Sequence, residues 1–235
     1  MVPTPNAPSR DAVVDALMRL AESRPWSDIE LQDIAREAAI SLADLRDMFP
    51  SKGAILGGLS RRVDRQVLEG TTDDLAGEPA RERLFDVMMR RLDALAPYKR
   101  ALKRIAQGMR GDPLAVAAMN QLALNSQRYM LAAAGISTED ALGFLKLQGA
   151  VIIHANTLET WFEDDDPALA RTMARLDREI RRGERVMERA DDVRRLTAPF
   201  RALGQALFQR RRRSSRRPRP DDYEDGETRD PAAAI

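Results

Sequence analysis

The side chains best suited to bind an anion lie in a short polar stretch between residues 41 and 52. Arg46 and Lys52 supply positive charge there, and Ser41 precedes both. Arginine can bind a phosphate or the edge of a guanine, and a lysine at the start of a helix can bind a phosphate. Asp44 and Asp47 lie in the same stretch, and a carboxylate about 4 Å from a phosphate costs on the order of 1 kcal/mol in water. The pattern therefore predicts nucleic-acid binding of modest strength.

Groups that could support catalysis or bind a metal are sparse. The chain has no cysteine and a single histidine, His154, in an apolar segment typical of a buried or pocket-lining side chain. The acids of Glu163–Asp166 could attract a divalent cation, but Asp166 precedes Pro167 and is explained as a helix N-cap. No glycine-rich phosphate loop occurs. We therefore predict no catalytic residue, no metal site and no cofactor.

The polar stretch is framed by helix starts and stops. Apolar residues three and four apart predict a helix from about Leu31 to Ala38. Ser41 can cap a second helix and Asp44 can complete a capping box, while that helix should end before Pro50. Ser51 can then cap a third helix. This order is typical of a helix-turn-helix spanning about residues 31–50.

The rest of the chain is predicted to be helical. At 235 residues and 43% hydrophobic, it can bury a proper core, and no segment has the pattern of a strand. Further helices are expected to start at Pro113, Ser137 and Pro167, the first ending near Gly135. The predicted organisation is a disordered N-terminus (1–8), a head (9–69), a larger helical domain (79–209), and a disordered tail (210–235) that is first arginine-rich and then acidic.

The composition of the chain bears on its expected cellular location and on its charge. No apolar stretch approaches the length that spans a bilayer, and the polar N-terminus does not resemble a secretory signal. We therefore expect a cytoplasmic protein. Its net charge is only +1, and the window from Leu31 to Arg65 contains six basic and five acidic side chains. A dedicated phosphate-binding surface would usually be more basic.

The head contains Asp33-Ile34-Ala35, the Ile40-Ser41 turn, Leu45 and the Phe49-Pro50-Ser51-Lys52 junction. In these residues it resembles the head of the TetR family of transcriptional regulators. This resemblance implies that residues 41–48 form the recognition helix and that Lys52 contacts a phosphate. The implied DNA-binding set is Gln32, Ser41, Leu42, Ala43, Asp44, Arg46, Asp47 and Lys52.

Three positions depart from the family pattern. The family usually has glycine where Ala39 stands, an aromatic residue where Arg46 stands, and histidine or an aromatic residue where Met48 stands. These departures bear on the turn and on the side of the motif that would face DNA.

The same resemblance implies an all-α, TetR-like fold whose C-terminal helices form an effector pocket and a dimer interface. The long helices on either side of the Glu163–Pro167 turn are the predicted dimer-forming pair, because such a hairpin from each subunit makes a four-helix bundle. The residues predicted to line an apolar pocket are Met88, Leu92, Leu102, Met109, Leu122, Tyr129, Met130, Leu145 and Ile152.

A second resemblance concerns the segment from Phe144 to Arg182. It is similar to the C-terminal helices of the coenzyme Q biosynthesis accessory proteins, which have a TetR fold and bind isoprenoid lipids. Those proteins also have an amphipathic helix that contacts the membrane. A candidate for it follows at Leu196, Phe200, Leu203 and Leu207, continuing into the basic residues Arg210 and Arg211. Eight arginines and no acid occur from 201 to 219, which predicts peripheral membrane contact, phosphate binding or a plain solvated tail.

Three functions follow. The first is a homodimeric repressor that binds a palindromic operator and responds to a hydrophobic small molecule or lipid. The second is a lipid-binding accessory protein of quinone biosynthesis that has kept the head as scaffold. The third is an interaction adaptor with neither property.

Overall fold

A computed structural model describes residues 9–71, 75–190 and 192. This part of the chain is helical and contains no strand. The helices are α1 (Arg10–Ser23), α2 (Leu31–Glu37), α3 (Leu42–Met48), α4 (Lys52–Glu69), α5 (Ala80–Leu95), α6 (Lys99–Met109), α7 (Pro113–Ala133), α8 (Gly143–Trp161) and α9 (170–190). None of them is long and apolar enough to cross a membrane, within the residues described.

The first four helices form the head. Helix α1 contacts α2 and α4, and α3 follows α2 across a tight turn. The apolar side chains that hold these helices together are fully buried, among them Leu17, Ile34, Leu45 and Ile55. Burying each of them stabilises the head by about 1.5–3 kcal/mol. The predicted helix-turn-helix is therefore present, with the helix bounds within a residue of those expected.

The turn between α2 and α3 requires a left-handed residue. Ala39 has a φ of 54°, and the amide of Ile40 donates to the carbonyl of Ala35 at 2.9 Å. This is the hydrogen-bond pattern of a helix end at which glycine is favoured, because a Cβ is unfavourable at positive φ. The glycine usual in the TetR family is thus explained by backbone geometry, and Ala39 is strained here.

The remaining helices pack against the head and against one another. Helix α6 contacts α1, α4 contacts α5 and α7, and α7 contacts α8. Arg62 of α4 links α1 to the turn before α6, because it donates to Asp15 at 2.7 Å and to the Tyr98 hydroxyl at 2.9 Å. The head is therefore held on the body by helix contacts as well as by the chain connection.

Two predicted helix starts need correction. Helix α8 begins at Gly143, because Ser137 and Asp140 cap turns instead: their oxygens accept the amides of Glu139 and Leu142. Helix α9 begins at residue 170, three residues after Pro167. Its first turn is capped by Asp164, whose buried carboxylate accepts the Thr172 amide at 2.8 Å and hydroxyl at 2.6 Å. The expected start at Pro113 and end near Gly135 are confirmed, with Asp112 as the cap.

Candidate DNA-binding face and ligand cavity

Helix α3 is held rigidly at its N-terminus. The Asp44 amide donates to the Ser41 hydroxyl at 3.1 Å, and the Asp44 carboxylate accepts the Ser41 amide at 3.2 Å and hydroxyl at 2.6 Å. These bonds form the predicted capping box, which is worth about 1 kcal/mol. Asp44 is thereby explained as a structural residue.

The outward side of α3 is open to solvent. Leu45 is 1% exposed and anchors the helix on the core. The predicted DNA-contacting residues of this helix are exposed: Ser41, Leu42, Ala43, Asp44, Arg46 and Asp47, with Gln32 exposed on α2. Neither Arg46 nor Asp47 forms a hydrogen bond or ion pair within the described residues, so both are available to an external partner. The two opposite charges leave the face nearly neutral.

Lys52 is placed differently from the sequence expectation. Its ammonium donates to the carbonyl of Trp26 at 2.9 Å and to that of Ile29 at 2.7 Å, and it lies 4.5 Å from the centre of the Trp26 ring. Burial lowers its pKa from the usual value for lysine. The side chain therefore fastens α4 to the turn after α1 in this conformation, and does not extend toward solvent as a phosphate contact would.

A cavity of about 340 Å³ lies between α4, α5, α6, α7 and α8. Most of its wall is apolar. The lining residues are Leu56, Leu59, Ser60, Arg91, Leu95, Leu102, Ile105, Ala106, Met109, Arg110, Val116, Met119, Leu122, Ala123, Gln127, His154, Leu158 and Phe162. Its volume is within the range of small-molecule sites.

Only three predicted pocket residues line this cavity: Leu102, Met109 and Leu122. Met88, Leu92 and Met130 are no more than 1% exposed and are packed in the core, because these faces of α5 and α7 contact other helices. Tyr129 is 57% exposed on the outer side of α7. Spacing along one helix shows which residues share a face, but not which neighbouring helix that face meets.

Leu145 and Ile152 share a helix face as predicted, but they line a second apolar groove, between α8 and α9. The groove has a volume of about 460 Å³ and is edged by charged residues of α9, including Glu184 and Glu188. Ile152, which lines the groove, is 56% exposed, and Phe144 of the same helix is 75% exposed. An apolar surface of this kind on a helix pair is typical of a protein contact.

The cavity has a polar end that the pocket prediction missed. Arg91 of α5 forms a buried ion pair with Asp64 of α4, and the Ser126 hydroxyl donates to the same Asp64 oxygen at 2.7 Å. Next to Ser126, Gln127 is fully buried, and neither its amide oxygen nor its amide nitrogen has a hydrogen-bond partner in the described part of the chain. Gln127 stands three residues before Met130 and four before Leu131, so it shares the apolar face of its helix with them. This spacing could have predicted from the sequence that Gln127 is buried.

His154 lies at the same end of the cavity. It is 8% exposed, as its apolar segment predicts, and makes no hydrogen bond with another described residue. Burial, together with the nearby positive charge of Arg91, lowers the pKa of His154 to about 3. The imidazole is therefore neutral at pH 7 and can both donate and accept a hydrogen bond.

A cleft of about 580 Å³ connects this region with the head. It is lined by Trp26 and by residues 50–54 on the head side, and by Met109, Met119 and Leu122 on the other. These last three also line the cavity. The Leu122 side chain lies against α4, where a Cβ on Gly57 would come within 3.1 Å of it.

The tail candidates Phe200, Leu203, Leu207, Arg210 and Arg211 lie outside the described residues. Among the described ones, no group of three or more His, Asp or Glu side chains is placed to hold a metal ion. Three acids of the 163–166 turn have structural partners: Glu163 pairs with Lys103 at 2.8 Å, Asp164 caps α9, and Asp166 accepts the amide of Ala168 at 3.0 Å.

No family model and no curated protein matches the sequence. Among solved structures, a TetR transcriptional regulator from Nitrosomonas europaea matches with a TM-score of 0.60 and 23% identity, over 76% of this chain and 99% of that one. A TetR transcriptional regulator from Rhodococcus sp. RHA1 matches with a TM-score of 0.56 and 16% identity, over 74% and 94%. The chain therefore has the fold of TetR-family transcriptional regulators.

Proposed function

We propose that the protein is a homodimeric, ligand-responsive DNA-binding repressor. The observation that carries the proposal is the outward face of α3, which is solvent-exposed along its length yet held by a buried Leu45 and a complete capping box. A helix presented in this way fits a major groove, and the two solved structures compared above are described as transcriptional regulators.

Arg46 is the residue proposed to read a base. It is exposed, unpaired within the described residues, and positioned on the outer side of α3. Arginine forms two hydrogen bonds with guanine, and each such pair contributes about 1–3 kcal/mol of discrimination. Lys52 is better proposed as the residue that fastens α4 to the turn after α1, because both carbonyls it binds belong to the Trp26–Ile29 segment.

The apolar groove of α8 and α9 is proposed as the dimer surface. A second copy of this chain would cover Phe144, Leu145 and Ile152, and the paired helices would form a four-helix bundle. Two heads in such a dimer would bind half-sites about one helical turn of DNA apart.

The cavity is proposed as the effector site. Met109, Met119 and Leu122 line both the cavity and the cleft that reaches Lys52, so a ligand that displaces them would shift α4 and the rest of the head with it. Release from the operator would follow if the ligand binds the shifted arrangement more tightly than the operator-bound one.

The proposal is tested by selecting bound fragments from genomic DNA at physiological salt. We expect an enriched palindrome with the wild type, loss of preference at one base position with Arg46→Ala, and no change with Arg128→Ala, an exposed arginine on the outer side of α7. Recovery of no enriched sequence by the wild type would refute the repressor function.

The lipid-binding accessory function shares the cavity but depends on other features. Its proposed membrane helix, from Leu196 onward, lies outside the described residues. It predicts liposome binding that is lost on truncation after Arg195, together with DNA binding that is sensitive to salt and blind to sequence. An enriched palindrome in the DNA selection would argue against it.

A further inference from the structure

We propose that the cavity binds an elongated apolar molecule with a single uncharged polar group, such as a hydroxyl or carbonyl, held at the buried end by Gln127. This proposal rests on the proposed effector site and adds the chemical class of the ligand. It follows from three properties of the cavity: an unpartnered amide at one end, no net charge beside that amide, and an apolar length that opens to solvent.

The amide of Gln127 is unpartnered within the described residues, as is the buried Nε of Arg91, whose guanidinium is already paired with Asp64. Gln127 is 0% exposed, and both of its amide atoms lack a partner within the described chain. A buried amide without hydrogen bonds costs about 1–3 kcal/mol of folding free energy. Because Gln127 lines the cavity, a ligand that offers one donor or acceptor there recovers part of that cost on binding.

The charges at this end cancel. The guanidinium of Arg91 is paired with the carboxylate of Asp64, which also accepts from Ser126. His154 is neutral because burial and the Arg91 charge lower its pKa to about 3. A carboxylate or ammonium on a ligand would therefore be buried without a free counter-charge, which is strongly unfavourable. An uncharged polar group has no such penalty.

The cavity is elongated, and its lining residues change from exposed at one end to buried at the other. Val116 and Gln127 both line it, and they are eleven positions apart on α7, which is about 16 Å at about 1.5 Å per residue. Val116 is 55% exposed while Gln127 is fully buried. Arg110 is also exposed at the outer end. The polar group of the ligand therefore lies deepest, and its apolar chain extends toward the open end.

The test uses three probes that share one alkyl chain: decanol, decanoate and decylamine. Binding is measured by calorimetry at pH 7.5 with the full chain. We expect decanol to bind the wild type at least tenfold more tightly than either charged probe. Gln127→Met, which keeps the length of the side chain and removes the amide, should weaken decanol binding about tenfold. Gln121→Met, on the exposed side of the same helix, should leave it unchanged.

Each outcome decides the inference. Tighter binding of decanoate or decylamine than of decanol, or equal binding of decanol by the wild type and Gln127→Met, would overturn it, as would failure of all three probes to bind the wild type. A thermal melt of each variant verifies that it is folded. The DNA selection is carried out without any ligand, so it tests the regulator function independently of the decanol experiment. A negative decanol result would not contradict the regulator function, and a negative DNA selection would not contradict ligand binding.

Discussion

Replacing Gln127 with methionine should make the ligand-free protein more stable. Gln127 is fully buried, and its amide oxygen and nitrogen are unpartnered within the described chain. Most buried substitutions destabilise a protein by about 0.5–3 kcal/mol, so a gain here is a specific expectation. A gain in stability on this substitution would identify Gln127 as a residue whose polar group contributes to ligand binding and lowers the stability of the ligand-free protein.

The magnitude follows from the cost of an unsatisfied group. A buried amide without a partner costs about 1–3 kcal/mol, and methionine of similar length removes that cost while keeping the packing. We therefore expect the free energy of unfolding to rise by at least about 1 kcal/mol. In a chain of this size, each 1 kcal/mol corresponds to an increase in Tm of about 2–4 °C.

The assay is urea unfolding of both proteins, monitored by circular dichroism in the absence of ligand. A shift of the midpoint with an unchanged m-value would report a change in stability alone. Gln121→Met on the exposed side of α7 is the control and should stay within about 0.5 kcal/mol of the wild type. A loss of 1 kcal/mol or more in Gln127→Met would refute the reasoning, because it would mean that the amide is satisfied in the folded protein.

Three further predictions concern the turn, the buried histidine and the DNA-binding face. Ala39→Gly should raise the free energy of unfolding by about 0.5–1 kcal/mol, because Ala39 has a φ of 54°. Ala38→Gly, at a φ of −83°, should lower it by a similar amount. A change of the free energy of unfolding in the same direction in both variants, measured by urea unfolding, would contradict this reasoning. The folded pKa of His154 is about 3, below its unfolded value of about 6.5, so its neutral form contributes stability that is lost as pH falls from about 6.5 toward 3, at up to about 1.4 kcal/mol per pH unit. Between pH 6.5 and pH 5, His154→Gln should therefore lose about 1.6 kcal/mol less than the wild type, and parallel losses would exclude this role. Asp47→Asn should tighten binding to every DNA site about fivefold, by removing repulsion of about 1 kcal/mol, and unchanged affinity in a filter-binding titration would place Asp47 away from the phosphates.

The head could be predicted from sequence because its signals are local. Ser41 and Asp44 are three residues apart, and the bonds that join them need no other part of the chain. The same holds for Asp112 and Gly135, which mark the two ends of α7. The start of α9 could not be predicted in this way, because its first turn is capped by Asp164, eight residues before the Thr172 whose amide it accepts. A cap at that distance depends on how the turn folds back.

The sequence by itself determined the all-helical class, the helix-turn-helix and the near-neutral charge of the face on α3, since periodicity, caps and charge counts act within a few residues. Only the tertiary structure decided which apolar residues line the cavity, that Lys52 is held by the carbonyls of Trp26 and Ile29, and that Gln127 is unpartnered. The physical reason is that each of these depends on which helices meet, and helix packing joins residues far apart in the chain. Arg91 and Asp64 are an example: they come from two different helices, and their charges cancel at one end of the cavity only because α4 and α5 meet there.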